Sequence, residues 1–358
     1  MLSVGIVGLP NVGKSTVFNA LCSGGAKVSN YAFCTIEPNR AVVSVPDPRL
    51  ERVAAIFGQE RLVPAAIEFV DVAGLVRGAS RGEGLGNQFL AAIREVDALL
   101  HVLRSFADAQ VAHVEGPVDP LRDAEIVELE LILADLASVQ RRKERLAPGL
   151  KAHDPEAERE APALAALEDH LNSHHPVRSL PDRDRLLSAV QLYLLTAKPQ
   201  LVAVNTGEQP GEADQALAAL AGRLTGPVIA LPGKLEADLA ELEEDERAAF
   251  AAELGAPAGG LELVIRACYE ALDLVTFYTG VGAEARAWPV KRGTTLAAAA
   301  GRIHSDMERG FIRAEVLDFD SLDRAGAWQE AHRRGLVRTE GRDYVVSEGD
   351  VILVRFHV

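Results

Sequence analysis

Ser3–Ser15 reads S-V-G-I-V-G-L-P-N-V-G-K-S, and this stretch decides the fold. Ser3–Val7 is a short apolar run that predicts a buried strand. Gly8–Ser15 then fits G-x-x-x-x-G-K-[ST]. In such a turn the glycines let backbone N–H groups face inward and approach phosphate oxygens closely. Lys14 supplies a point charge for the β- and γ-phosphates, and Ser15 offers a hydroxyl to magnesium (Mg2+). Thr16–Leu21 reads as helix, so its positive end faces the same anion. Strand, loop and helix in this order predict a nucleoside triphosphate site at the start of an α/β domain.

The rest of the chain bounds what surrounds that site. Its 358 residues suggest two or three domains, and 48% apolar with 25% charged residues is the balance of a soluble globular protein. No run approaches the roughly 18 apolar residues of a membrane span. Met1 leads straight into the first strand, so no targeting segment is expected. Cys22, Cys34 and Cys268 are few and lack C-x-x-C spacing. That argues against a disulfide framework or a zinc site and for a reducing, cytoplasmic setting. The net charge of −15 lies before Thr276; from there to the end 12 basic and 12 acidic residues balance. Indiscriminate nucleic-acid coating is therefore not expected, and a local basic surface would be needed for any such contact.

Further along, Ile67–Val70 predicts a strand that ends in Asp71-Val-Ala-Gly74. A carboxylate there can hold magnesium through water, and a glycine lets its N–H reach the γ-phosphate. Thr35, in the irregular stretch Ser29–Arg40, stands where a switch hydroxyl would complete the metal's shell. The residue after the D-x-x-G motif is Leu75, where Ras-like proteins use a water-orienting glutamine. An apolar side chain cannot orient water, so another group must do so or hydrolysis is slow. Gly78, Gly82, Gly84 and Gly86 follow in a loop of high backbone freedom, and Asn87–Val96 resumes as helix. After the apolar strand Ala98–Leu103 comes a polar loop with His113. That histidine reads either as a loosely packed surface residue or as the group that polarises the attacking water.

Pro120–Leu146 places Leu121, Ile126, Leu129, Ile132, Leu133, Leu136 and Val139 near helical spacing, with Asp119 as cap and Pro148-Gly149 as breaker. A second helix over about Pro155–Asn172 would make an antiparallel hairpin inserted into the nucleotide domain. A solvated arm and a contact arm for a macromolecule share this periodicity. Asp182–Leu195 reads as a returning helix, and Gln200–Val204 as a strand. That strand ends in Asn205-Thr206-Gly207-Glu208, where a guanine-reading site would carry N-K-x-D. Here Thr206 replaces the flat lysine stem, and the carboxylate of Glu208 is one methylene longer than aspartate. The change weakens guanine recognition and permits adenine. Beyond Leu274, Ala287–Val290, Glu315–Phe319, Tyr344–Val346 and Val351–Phe356 read as strands around a helix Thr295–Arg309, a small mixed domain.

Taken together, these residues resemble the YchF/Obg-like ATPases. The resemblance rests on GLPNVGKST at Gly8–Thr16, FCTIEPN at Phe33–Asn39 and FVDVAGLVRGASRGEGLGNQFL at Phe69–Leu90. HVEGPVDP at His113–Pro120, NTGE at Asn205–Glu208, KLEADLAEL at Lys234–Leu242 and GFIRAEV at Gly310–Val316 extend it nearly end to end. The resemblance implies a P-loop NTPase (G-protein-like) domain of α/β class with an inserted helical hairpin and a C-terminal TGS domain of β-grasp type. On that plan residues 1–118 and 181–274 form the nucleotide domain, 119–180 the insert and 275–358 the TGS domain. It further implies magnesium-dependent hydrolysis of ATP in preference to GTP, by a monomer associated with the ribosome and its RNA in translation or stress responses. A GTP-dependent RNA-binding module with incidental hydrolysis is the alternative. Site roles follow in the same terms. Asn11, Val12, Gly13, Lys14, Ser15 and Thr16 would bind phosphates, and Ser15, Thr35 and Asp71 the metal. Asn205, Thr206 and Glu208 would meet the base, and Lys14, Gly74 and His113 would serve catalysis. Asn11 resembles the asparagine of potassium-stimulated relatives, which makes potassium (K+) a second candidate ion. The usual Ser-Ala before KLEAD is Pro232-Gly233 here, at a place that supports the base from its other side.

Overall fold

The structure is a computed structural model that describes residues 1–27, 39–72, 74, 85–108, 110–208, 211–242, 246 and 259–357. Expectations on Thr35, Leu75, Gly78, Gly82 and Gly84 lie outside the described residues. By contacts the chain divides into two compact units, Met1–Gly24 with Ile36–Ala41 and Glu68–Val264, and Gly25–Thr35 with Val42–Ile67 and Ile265–Val358.

The first sheet is built from β1 (Ser3–Val7), β2 (Arg40–Ser44), β4 (Ala66–Asp71), β5 (Ala98–Arg104), β6 (Gln200–Asn205) and β7 (Val228–Leu231). Their spatial order is β2-β4-β1-β5-β6-β7. β1 lies parallel between β4 and β5, and β6 continues parallel from β5 to β7. β1, β5 and β6 are buried along their whole length, as central strands of a parallel sheet covered on both faces must be. Helix α1 (Lys14–Lys27) springs directly from the loop after β1, and α3 (Leu85–Glu95) leads into β5.

Three helices begin at an Asp-Pro step, α2 (Pro48–Phe57), α4 (Pro120–Lys151) and α5 (Pro155–Asn172). In each the aspartate accepts a backbone N–H of the first turn, and proline fills a position whose own N–H would have no partner. α4 and α5 pack along one another across a three-residue link, with Arg142 bridging Glu160 at 2.7 and 2.8 Å. Pro148 does not end α4, which runs on to Lys151. It sits in the last turn, where the missing N–H removes one i→i−4 bond and leaves the rest of the helix intact, and the glycine beside it lets α5 come close. A Cβ on Gly149 would lie 3.1 Å from that of Ala157.

The buried face of α4 also differs from the expected stripe. Leu129 and Leu133 are 40% and 38% exposed, whereas Asp123 and Asp135 are 1% exposed. Asp135 accepts the N–H groups of Leu195 and Thr196 and the Thr196 hydroxyl, each at 2.7 Å. This polar anchor explains why the returning helix is shorter than its pattern. α6 covers only Arg183–Ala189, and the chain re-enters the sheet through the short turn Leu195–Ala197 held by Asp135.

The second unit centres on a mixed sheet of β3 (Leu62–Val63), β8 (Leu274–Thr279), β9 (Ala285–Lys291), β10 (Phe311–Asp318), β11 (Arg338–Glu340) and β12 (Asp350–Phe356), in the order β11-β10-β12-β8-β9-β3. β3 comes from the N-terminal half of the chain and pairs parallel with β9 through Leu62–Ala285 and Val63–Arg286. Residues 42–67 therefore group with the C-terminal strands rather than with the phosphate loop's unit. Tyr344–Val346 is not a strand; Val345 makes only an isolated bridge to Thr295. The helix read as Thr295–Arg309 is two, Leu296–Ile303 and Ser305–Arg309, because His304 is extended and its Nδ1 caps Asp306 N–H. Phe277, Val290, Leu296, Phe311, Val316 and Ile352 make this unit's core.

Candidate functional site

The loop between β1 and α1 has the backbone its glycines imply. Gly8 and Gly13 have φ of 152° and 97°, in a region that side chains disfavour. A Cβ on Gly8 would sit 2.5 Å from Val102 O, and one on Gly13 2.1 Å from Asn205 Nδ2, so neither position has room for a side chain. Asn11 takes the left-handed conformation at φ 64°, which asparagine tolerates better than most residues.

Lys14 is 8% exposed, and its Nζ donates to Leu9 O at 2.8 Å. Burial pulls its pKa down to about 8 against the opposing pull of Asp71. Ser15 Oγ donates to Asp71 Oδ2 at 3.0 Å, while Asp71 Oδ1 is buried with no partner. A serine hydroxyl beside an incompletely satisfied carboxylate is a hard-oxygen set that suits a small divalent cation. Among the described residues no three His, Cys, Asp or Glu side chains gather to hold a metal, so such an ion would depend on ligand oxygens as well. Gly74 lies against the same loop: a Cβ there would be 3.0 Å from Lys14 Nζ and 3.2 Å from Pro10 N.

Asn205 stands at the end of β6, where both ends of its amide are used by backbone. Nδ2 donates to Val12 O and Oδ1 accepts from Gly233 N–H, each at 3.0 Å. It thereby bolts the phosphate loop to the turn after β7. The Pro232-Gly233 departure has a steric correlate here, since a Cβ on Gly233 would lie 2.9 Å from Asn205 Oδ1. Thr206 is buried with its N–H on Leu231 O and its Oγ1 unpartnered. Glu208 is exposed, 3.5 Å from Lys234 Nζ. Gly207 between them lies against the Glu212 carboxylate, which a Cβ there would displace.

His113 is not the surface residue its loop suggests. Its side chain is 2% exposed, with Nε2 2.7 Å from Asp123 Oδ2 and Nδ1 accepting Glu115 N–H at 3.2 Å. Asp123, in the first turn of α4, is shared with Arg122. The segment before His113 touches the phosphate loop directly, for Asn11 Nδ2 donates to Ala112 O at 3.1 Å. Sequence reasoning missed Asp123 and Arg104. Asp123 follows an N-cap and resembles any acidic first-turn residue, and Arg104 ends an apolar strand where a charged residue reads as the strand's exit.

A family model described as "50S ribosome-binding GTPase" matches residues 3–129, and the YchF-GTPase_C model matches residues 274–357. The chain is 45% identical to the "Ribosome-binding ATPase YchF" of Bacillus subtilis over 100% of both chains. It is 44% identical to the protein of that name from Escherichia coli O157:H7 over 99% of each. The solved structure of the Schizosaccharomyces pombe YchF GTPase superposes with a TM-score of 0.87 at 32% identity, covering 99% of this chain and 97% of that one. A P-loop nucleotide fold with its motifs in place, matched over full length at this identity, means that the chain belongs to the YchF family.

Proposed function

We propose that this chain is a magnesium-dependent nucleoside triphosphatase that prefers ATP to GTP and associates with the ribosome. The observation that carries the base preference is the corner after β6. A site for guanine needs a fixed carboxylate facing two donors of the base edge. Here the carboxylate is the exposed Glu208, paired with Lys234, and the lysine stem is replaced by Thr206 with an unpartnered hydroxyl. A hydroxyl can donate to adenine N1, and a carboxylate can accept from the exocyclic amine. Ribosome association rests on the name carried by relatives 44–45% identical over their full length.

In this reading Ser15 and Asp71 would hold magnesium, which would neutralise charge on the β- and γ-phosphates. Lys14 and the loop amides hold the phosphates, Gly74 N–H meets the γ-phosphate, and His113 orients or deprotonates water. Competition between ADP and GDP, in potassium and in sodium buffers, tests the base and the second ion together. ADP is expected to bind at least about tenfold tighter, the effect of one well-placed polar contact. Equal or tighter GDP binding overturns the base assignment, and identical turnover in the two buffers removes potassium.

The state of Lys14 gives the site a pH dependence. Its pKa near 8 in the free protein, against an ordinary value of 10.5, means the amine loses its proton as pH rises through 8. Phosphate favours the charged amine, so binding takes up a proton above pH 8. ATP affinity is expected to fall between pH 8 and 10, and by up to about tenfold for each unit passed. Calorimetry in buffers of different ionisation enthalpy checks it; absence of proton uptake at pH 9 contradicts it.

A further inference from the structure

Arg104, the last residue of β5, is 1% exposed, and its side-chain hydrogen bonds among the described residues go to backbone carbonyls rather than to a carboxylate. A guanidinium out of water without an acid is costly, so its donors must be met otherwise. They are met by carbonyls from two loops. Nε donates to Phe106 O at 3.1 Å and Nη2 to Asp108 O at 3.4 Å. Nη1 is shared between Val111 O at 2.9 Å and Asn11 O at 3.3 Å. The plane also lies over the Phe106 ring, 4.5 Å from its centre.

One nitrogen therefore joins the phosphate loop to the segment that leads into His113. The join is made twice over, since Asn11 also donates to Ala112 O. A core-filling role would be served as well or better by an apolar side chain of the same volume. We propose that Arg104 is a positioning residue that couples the phosphate loop to residues 105–113, so that binding a triphosphate at the loop orders the segment from which hydrolysis is assisted. The buried charge, with no acid of its own among the described residues, adds to the loop's attraction for the triphosphate. The inference rests on the hydrolase reading above, but not on His113 itself being the group that handles water.

Arg104→Lys separates the two effects, because lysine keeps the charge but has no planar fork to bridge two carbonyls. It is expected to keep the ATP dissociation constant within about threefold while single-turnover hydrolysis slows by about tenfold or more. Amide hydrogen exchange in residues 105–113 should quicken while α5 exchanges as before. Arg104→Met should in addition weaken ATP binding by about tenfold. Wild-type hydrolysis and exchange in Arg104→Lys overturn the proposal, as does wild-type ATP affinity in Arg104→Met for the charge. Should either variant fail to fold, the unmodified protein still decides. ATP should slow exchange in residues 105–113, and no protection there sinks the coupling. His113→Ala run in parallel keeps the readings apart. A slow Arg104→Lys beside a wild-type His113→Ala keeps the coupling and removes the histidine. The reverse pattern keeps the histidine and removes the coupling.

Discussion

Replacing His113 with alanine is expected to slow single-turnover ATP hydrolysis by about 10²–10⁴-fold, the span of a general acid–base group, with ATP affinity nearly unchanged. Leu75 leaves the D-x-x-G motif without a side chain able to orient water. His113 follows directly on Ala112, which is bonded to Asn11 of the phosphate loop. Its Nδ1 accepts Glu115 N–H and its Nε2 lies 2.7 Å from Asp123 Oδ2, so service to a bound nucleotide requires the ring to turn from that place. The affinity half of the expectation follows because no phosphate-loop group bonds the imidazole. Rapid mixing with equimolar ATP and quantification of phosphate measures the rate. An unaltered rate removes the histidine from the mechanism, and a loss of ATP binding would make its role structural.

Lys14→Met should weaken ATP by about 10²–10³-fold, the usual cost of removing a preorganised charge from a developing or bound anion. The same substitution should stabilise the free protein. Burial holds the Lys14 pKa at about 8. Below pH 8 the amine is charged in both folded and unfolded chains, and the folded chain carries the full penalty of the buried charge. Between 8 and 10.5 that penalty fades with rising pH. Methionine removes it but leaves Leu9 O without its donor. The net gain expected at pH 7 is about 1 kcal/mol, a few degrees in melting temperature for a chain this size. Denaturant titration of both forms without nucleotide decides it, and a destabilised Lys14→Met would mean that the bond to Leu9 outweighs desolvation. The combination of a tighter fold with a weaker site is what distinguishes a functional buried cation from a structural one.

Much of the site was legible because it is local in the chain. Gly8, Gly13, Lys14 and Ser15 lie within eight residues, and the turn they make is set by their own φ preferences and by the strand and helix on either side. The same is true of the Asp-Pro helix starts, where a cap and its first-turn N–H are neighbours. Where the reading went astray, a distant polar group had intervened. Asp135 meets donors 60 and 61 positions away and replaces expected helix with a short turn, while the expected stripe leaves Leu129 and Leu133 outside. Periodicity alone cannot rank an aspartate above a leucine for burial, because the ranking reverses once donors in another segment claim it.

The amino-acid order by itself set the glycine turn between β1 and α1 and the carboxylate that closes β4, since each is a short motif whose geometry follows from neighbouring residues. Tertiary structure alone decided that residues 42–67 join the C-terminal strands, that Asn205 bolts the turn after β7 to the phosphate loop, and that Arg104 gathers carbonyls from residues 11 and 106–111. Those are pairings across tens to hundreds of positions. Nothing in the residues beside either partner encodes them, because they exist only once the sheets have brought distant backbone within bonding distance.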